Sequence, residues 1–180
     1  MGKVLSFLLL LFLPFLLCSK KPIVDFYQEK ITIEIDSASA LVRGEYFFAN
    51  NTDSRKIVKF FYPFPVDSNH SFPDIIMLDY HYEKDTNGIY FSMPIKPGKE
   101  NSFKIDYRQR LNKRYFRYIT TTTRKWGKSI NTAEFFILAR KDLKLHINYK
   151  ITKTELRNNM ICYTIVMKRF YPTQDLIIKW

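Results

Sequence analysis

Apolar and polar residues alternate with a period of two along most of this chain, which places successive side chains on opposite faces of a strand. Ile31, Ile33 and Ile35 share one face of a first strand, which Asp36 and Ser37 break. A second strand covers residues 40–49 with Tyr46 and Phe48 on one face, and Gly44 inside it marks a bulge or a close approach. A third covers 55–64, with Val58, Phe60, Tyr62 and Phe64 toward the core; Pro63 and Pro65, which lack an N–H for the ladder, end it. Between the second and third, Asn50-Asn51-Thr52-Asp53-Ser54 is a cluster of turn-forming side chains, so residues 41–65 read as a β-hairpin with an exposed turn.

The same alternation continues downstream. Ile76, Leu78, Tyr80 and Tyr82 align over 74–82, and Asn87-Gly88 predicts a type I′ turn, with positive φ at both positions, into Ile89-Tyr90-Phe91. Phe103, Ile105 and Tyr107 alternate with Lys104, Asp106 and Arg108. Further strands fall at 115–123, where the threonines 120–123 suit β structure, and at 132–139. Leu143, Leu145, Ile147, Tyr149 and Ile151 give the cleanest one-face-buried pattern, Asn158-Asn159 turns the chain into 160–168, and 176–180 closes it. About ten short strands without a long helix predict an all-β, single antiparallel β-sandwich, immunoglobulin-like in kind, over 31–180 after a lead-in at 20–30.

The first residues follow a different pattern. Lys3 precedes an apolar run of 14 residues, 4–17, that turns polar at Cys18-Ser19-Lys20-Lys21. This reads as a secretory signal peptide over 1–19, since the run is shorter than the ~20 apolar residues that cross a bilayer. A retained N-terminal anchor is the alternative. Cleavage falls after Ser19, or Cys18 is lipidated at a lipoprotein-like Phe15-Leu16-Leu17-Cys18 box in which Leu17 stands where a small residue is usual.

Two cysteines, Cys18 and Cys162, give no disulfide framework, so stability must come from core burial; Cys162 reads as a half-buried strand residue. The net charge is +12, and loss of 1–19 removes only Lys3, leaving +11. An exported protein this basic is drawn to anionic partners: lipid head groups, an envelope polysaccharide, or an acidic face of another envelope protein. Nucleic acid would match the charge, but the leader argues against that encounter.

Residues 31–107 resemble a known family. Ile-x-Ile-x-Ile, Val42-Arg43-Gly44-Glu45-Tyr46-Phe47-Phe48 leading to Asn50 and Thr52, Tyr62-Pro63-Phe64-Pro65, and Pro97-Gly98 before Ile105-Asp106-Tyr107 are similar to the β-sandwich modules of the vault and inter-alpha-trypsin-inhibitor (VIT-like) kind. Tyr-Pro-Phe-Pro replaces that family's Phe-Pro-Leu-Pro. The resemblance implies an interaction or structural module and transfers no functional residue.

Candidate chemistry is sparse. His70, His81 and His146 are too scattered for a metal site and read as loop or solvent-face residues. Ser68, Ser71 and Ser92 lack a Gly-x-Ser-x-Gly context, and Asp79 with Glu83 or Asp85 reads as solvated turn carboxylates. No cofactor motif is present. Asn50-Asn51-Thr52 and Asn69-His70-Ser71 fit the glycosylation acceptor pattern in turns expected to be exposed.

The strongest feature is a basic stretch of Arg108, Arg110, Lys113, Arg114, Arg117, Arg124, Lys125 and Lys128, with Trp126 among its interleaved aromatics and no acid between them. It predicts a stripe that contacts an anionic surface, or else a solvated sheet edge guarded by charge. The sequence thus points to an exported, non-catalytic envelope module. A small outer-membrane β-barrel, suggested by Leu176, Ile178 and a terminal Trp180, and a secreted hydrolase are the alternatives.

Overall fold

The computed structural model describes residues 22–180, so the leader 1–19 and Cys18 lie outside the described residues. The protein is all-β and sandwich-like. Its strands are β1 (Val24–Ile35), β2 (Ser39–Asn50), β3 (Lys56–Pro63), β4 (Ile75–Leu78), β5 (Tyr82–Asp85), β6 (Gly88–Ile95), β7 (Gly98–Arg110), β8 (Tyr115–Tyr118), β9 (Ile130–Arg140), β10 (His146–Ile147), β11 (Lys153–Arg157), β12 (Met160–Phe170) and β13 (Leu176–Lys179). One 3-10 helix, Thr121–Trp126, lies between β8 and β9.

A seven-stranded sheet in the order β11-β12-β9-β1-β2-β7-β4 forms one layer. Two three-stranded sheets, β3-β6-β5 and β10-β13-β8, form the other. Stacked and edge-on rings join β2 and β7 to the first small sheet: Phe48 meets Phe60 at 5.0 Å and Phe103 meets Phe91 at 4.9 Å. Phe135 on β9 meets Tyr118 on β8 at 6.1 Å, which seats the second small sheet on the other half of the same face. The inward phases hold as the alternation predicts: Ile31, Ile33, Ile35, Phe60, Tyr62, Phe64, Phe103, Ile105 and Tyr107 are buried.

Several expectations about pairing change. Most ladders are antiparallel, but β1 and β9 run parallel from Gln28↔Thr132 to Ile35↔Ala139. Residues 20–30 are not a lead-in throughout, because β1 begins at Val24. The stretch 41–65 is not a hairpin: β2 pairs with β1 and β7, and β3 pairs with β6, so the segment between them crosses from one layer to the other. Asn50 makes that crossing. It is 3% exposed, its Nδ2 donates to the carbonyls of Ser54 and Ile95, and its Oδ1 accepts from the Thr52 amide. The glycosylation pattern at Asn50 therefore sits on a buried amide.

The expected strand 74–82 divides into β4 and β5, which join different sheets. The β5–β6 hairpin forms at Thr86-Asn87, but neither Asn87 nor Gly88 has positive φ. The pair with positive φ at both positions is Asn158-Asn159 (47° and 66°), between β11 and β12, as a type I′ hairpin requires. The threonine tract enters the 3-10 helix because Asp175 Oδ1 accepts from the amides of Thr120 and Thr121 and from the Thr121 hydroxyl, which holds the chain out of a ladder. Leu143, Leu145, Ile147 and Tyr149 do turn inward, yet only His146–Ile147 is paired.

His70 is fully buried rather than solvent-facing. Its Nε2 accepts from the Arg117 amide at 3.0 Å, so the ring proton sits on Nδ1, which donates to Asp67 at 2.8 Å. His81 and His146 are exposed, and Cys162 is buried on β12. No sheet closes on itself among the described residues, and β11 and β4 are free edges of the large sheet, so the outer-membrane barrel alternative does not hold. No helix among the described residues is long and apolar enough to cross a membrane.

Candidate functional site

The gap between the two small sheets is where polar groups enter the core. Strand β1 carries the first of them. Glu29 is in the inward phase of Ile31, Ile33 and Ile35 and is 2% exposed. Phe26 also faces inward, three residues before it, which regular alternation forbids. A bulge between Phe26 and Gln28 supplies the missing half-step: Phe26 pairs with Phe48 and Gln28 with Phe47, leaving Tyr27 unmatched in the register. Beside Glu29 in the sheet stand Tyr46 on β2 and the small Ala133 on β9.

On β2, Ala40, Val42, Gly44, Tyr46 and Phe48 point inward. The Tyr46 phenol folds back over Gly44, where a Cβ would lie 2.5 Å from its hydroxyl oxygen. The glycine is thus the close approach that the sequence marks. Held there, the Tyr46 hydroxyl shares hydrogen bonds with Tyr62 on β3 at 2.7 Å and with Tyr118 on β8 at 2.6 Å. One phenol from each of the three sheets meets at this point.

Burial governs the charges. With 2% exposure and no donor to its Oε1, Glu29 is more stable protonated, and its pKa is pushed up to about 8. Burial likewise raises Tyr46, Tyr62 and Tyr118 well above the ordinary phenol value, so all three stay neutral at physiological pH.

Above this floor lies a cavity of about 350 Å³. Phe26, Glu29, Tyr46, Phe48 and Phe103 of the large sheet form its base. Residues Lys59, Phe60, Phe61, Tyr62 and Pro63 of β3 form one wall; Tyr118, Ile119 and the 3-10 helix residues Thr122, Thr123, Lys125 and Trp126 form the other. Trp126 packs on Phe48 at 5.6 Å, Phe26 at 5.8 Å and Phe60 at 6.2 Å. The helix carrying it is secured by Asp175 at its start and by the Lys128–Asp25 ion pair, 2.6 Å, just beyond its end.

The structure divides the basic stretch. Arg108 and Arg110 project from the outer face of β7, where both reach Asp74 (2.8 and 3.4 Å); the Arg108 hydrogen bond holds the Asp74 carboxyl below its ordinary value. Arg117 alternates with buried Phe116 and Tyr118 on β8, so it faces out of the opposite layer, bonded to Asp67 at 3.1 Å. Arg124 stacks over Tyr171 and Lys128 is paired with Asp25. Lys113 and Arg114 are exposed in the β7–β8 turn, and Lys125 is exposed at the cavity mouth; none of the three has an ion-pair partner among the described residues. Lys125 and Trp126 are therefore the two residues of the stretch that the fold brings to the cleft.

Glu29 and the three tyrosines escape motif reasoning. Glu29 nevertheless carries a sequence signal, since it continues the Ile31-Ile33-Ile35 phase one step upstream. Among the described residues no three His, Cys, Asp or Glu side chains gather as metal ligands.

No family model matches the chain, and no curated protein matches it by sequence. Solved structures share the fold. A candidate nutrient-binding protein from Legionella pneumophila superposes with a TM-score of 0.59 over 87% of this chain at 11% identity. An M1 zinc metallopeptidase from Deinococcus radiodurans superposes with a TM-score of 0.50, also over 87% of this chain, at 9% identity. The chain spans 66% of the first protein and 42% of the second. At such identities the likeness carries the fold alone, an all-β sandwich-like one.

Proposed function

We propose that the chain is a non-catalytic β-sandwich binding module of the cell envelope that holds a small ligand in the cleft between its two small sheets. One observation carries the reading: an aromatic-walled cavity of about 350 Å³ ends on a buried carboxyl oxygen that no described residue satisfies. Mostly apolar walls with a few convergent polar groups are what small-molecule sites offer, and about 300–1,000 Å³ is their usual size. The likeness to vault and inter-alpha-trypsin-inhibitor modules supports an interaction role. Export rests on Lys3 and the apolar run 4–17.

Trp126 reports on the cleft directly, because the chain has only one other tryptophan, Trp180. In a Trp180→Phe background, some members of a panel of one-ring aromatic compounds bearing neutral, cationic or anionic groups should shift Trp126 emission saturably. Thr122→Phe, which narrows the mouth without adding a second indole, should abolish the shift while the protein stays folded. A panel in which no compound perturbs Trp126 would sink the cleft reading.

The +11 charge also favours an anionic envelope surface, lipid or polysaccharide, and within the basic stretch Lys113, Arg114 and Lys125 are exposed without an ion-pair partner among the described residues. Replacing all three by glutamine should weaken adsorption to vesicles of phosphatidylglycerol about a hundredfold, on the order of 1 kcal/mol per charge removed near the surface. Unchanged adsorption would remove these residues from the contact.

A further inference from the structure

We infer that the cleft takes a small protonated amine carried on an apolar, one-ring body, with Glu29 as its counter-charge. This rests on the cleft being the binding site. Three features of the floor point to a cation that donates hydrogen bonds. Glu29 lines the cavity, is almost wholly buried, and has Oε1 without a donor. The Tyr46, Tyr62 and Tyr118 hydroxyls are linked by two hydrogen bonds, which use two of their three protons and leave oxygen lone pairs available as acceptors. Most of the remaining apolar surface is ring, with Phe26, Phe48, Phe60 and Trp126 foremost, and Thr122 and Thr123 add hydroxyls on the helix side. Aromatic faces are electron-rich and attract a cation within about 6 Å of the ring centre.

The charge pattern selects among ligands. An anion would meet the electron-rich ring faces and would keep the buried acid from ionising, whereas a neutral alcohol could bond to the acid but would gain no charge pairing. Among the described residues the other charged side chains lining the cavity are Lys59 and Lys125, both exposed. The Lys59 ammonium lies over the Tyr90 ring, 4.8 Å from its centre, and supplies no partner to Glu29. From β9 the neighbour is Ala133, and the phenols facing the acid from β2, β3 and β8, with Tyr149 just after β10, stay neutral. A ligand ammonium is the group that completes the site. The cavity volume lies at the low end of small-molecule sites, which fits a single ring with a short arm.

The acid is protonated at neutral pH in the free protein, so pairing with an ammonium must expel its proton. Amine affinity should therefore rise as pH increases from 6 to 8, with close to one proton released at pH 7.

The test is calorimetric titration of the full chain with 2-phenylethylamine, 2-phenylethanol and 3-phenylpropionate, in two buffers of different ionisation enthalpy. The amine should bind at least about tenfold more tightly than the alcohol, the gain of a charge-assisted hydrogen bond, and the propionate should bind most weakly. In Glu29→Gln the amine's advantage should fall to about twofold or less and the proton release should vanish, while the alcohol binds as before. If the alcohol matches the amine in the parent, or the amine keeps its advantage in Glu29→Gln, the amine assignment is overturned and the cleft reading stands. If none of the three binds or perturbs Trp126, the cleft reading falls with it.

Discussion

Glu29→Gln should be more stable than the parent protein at pH 8 and about equal to it at pH 4. Glutamine is close in shape to the protonated acid and cannot ionise. In the unfolded chain the acid titrates near its ordinary value of 4.5, whereas in the folded core it holds its proton up to about 8. Between those values the folded state binds more protons than the unfolded state, so stability falls as pH rises. Each unit of pH in that window costs about 1.4 kcal/mol. The deficit reaches roughly 4 kcal/mol by pH 8, a large share of the ~5–15 kcal/mol that holds a domain together. Urea unfolding of both proteins from pH 4 to 8 measures it: the parent should lose stability steadily and Glu29→Gln should not show that loss. Parallel pH profiles would mean that Glu29 ionises freely in the fold. A core position that costs this much is consistent with a binding role, because sites that need an unpaired charge are built against the stability of the empty protein.

The second large effect is expected at Gly44→Ala. The added methyl would stand 2.5 Å from the Tyr46 hydroxyl and 2.7 Å from its ring. A flexible side chain could swing away, but Tyr46 is stacked on Phe103 at 4.8 Å and tied at its hydroxyl to Tyr62 and Tyr118. Relieving the contact breaks two buried hydrogen bonds and opens the seam between the small sheets. Overpacking and the lost bonds together should cost roughly 3 kcal/mol, a fall in Tm of about 6–12 °C for a domain of this size. Cleft binding should be lost as well. In a Tyr46→Leu background the same glycine substitution should cost less than about 1 kcal/mol, because the clashing ring is gone. Equal costs in both backgrounds would show that Tyr46 does not lie over Gly44.

Much of the fold is legible as phase, and much of what is missed concerns partnership. The alternation of Ile31-Ile33-Ile35, of Phe60-Tyr62-Phe64 and of Phe103-Ile105-Tyr107 identifies which residues go inward, because period two is a property of one strand. Which strand pairs with which is not. Residues 41–65 look like a hairpin because two alternating runs flank a turn cluster, and the same cluster serves a crossing between layers once the Asn50 amide is buried against Ser54 and Ile95.

The candidate site depends on just such partnerships. Tyr46, Tyr62 and Tyr118 are ordinary inward tyrosines until three sheets bring their hydroxyls together, and Trp126 reads as one aromatic of a basic stripe until the 3-10 helix folds it onto Phe26, Phe48 and Phe60. Glu29 was within reach: a carboxylate in the phase of three core isoleucines is a conflict between composition and pattern, and such conflicts collect at functional positions. The bulge after Phe26 hides it, because alternation upstream of Ile31 breaks there. The basic stretch shows the converse. Neighbours in sequence, Arg108 and Arg117 turn to opposite faces of the sandwich and are met there by Asp74 and Asp67, acids from a distant loop.

Glu29 is a buried acid that no described side chain pairs, and its carboxyl is the group a bound amine would meet. Carbon NMR of the glutamate side-chain carboxyls, with Glu29 assigned by its absence in Glu29→Gln, reads this directly. In the free protein the Glu29 signal should titrate with a midpoint near 8. With saturating 2-phenylethylamine the midpoint should drop by at least about one unit, the shift that corresponds to a tenfold preference for the ionised form. A midpoint close to the ordinary value of 4.5 in the free protein, or one that the amine leaves unmoved, would show that Glu29 is not a buried acid paired by the amine.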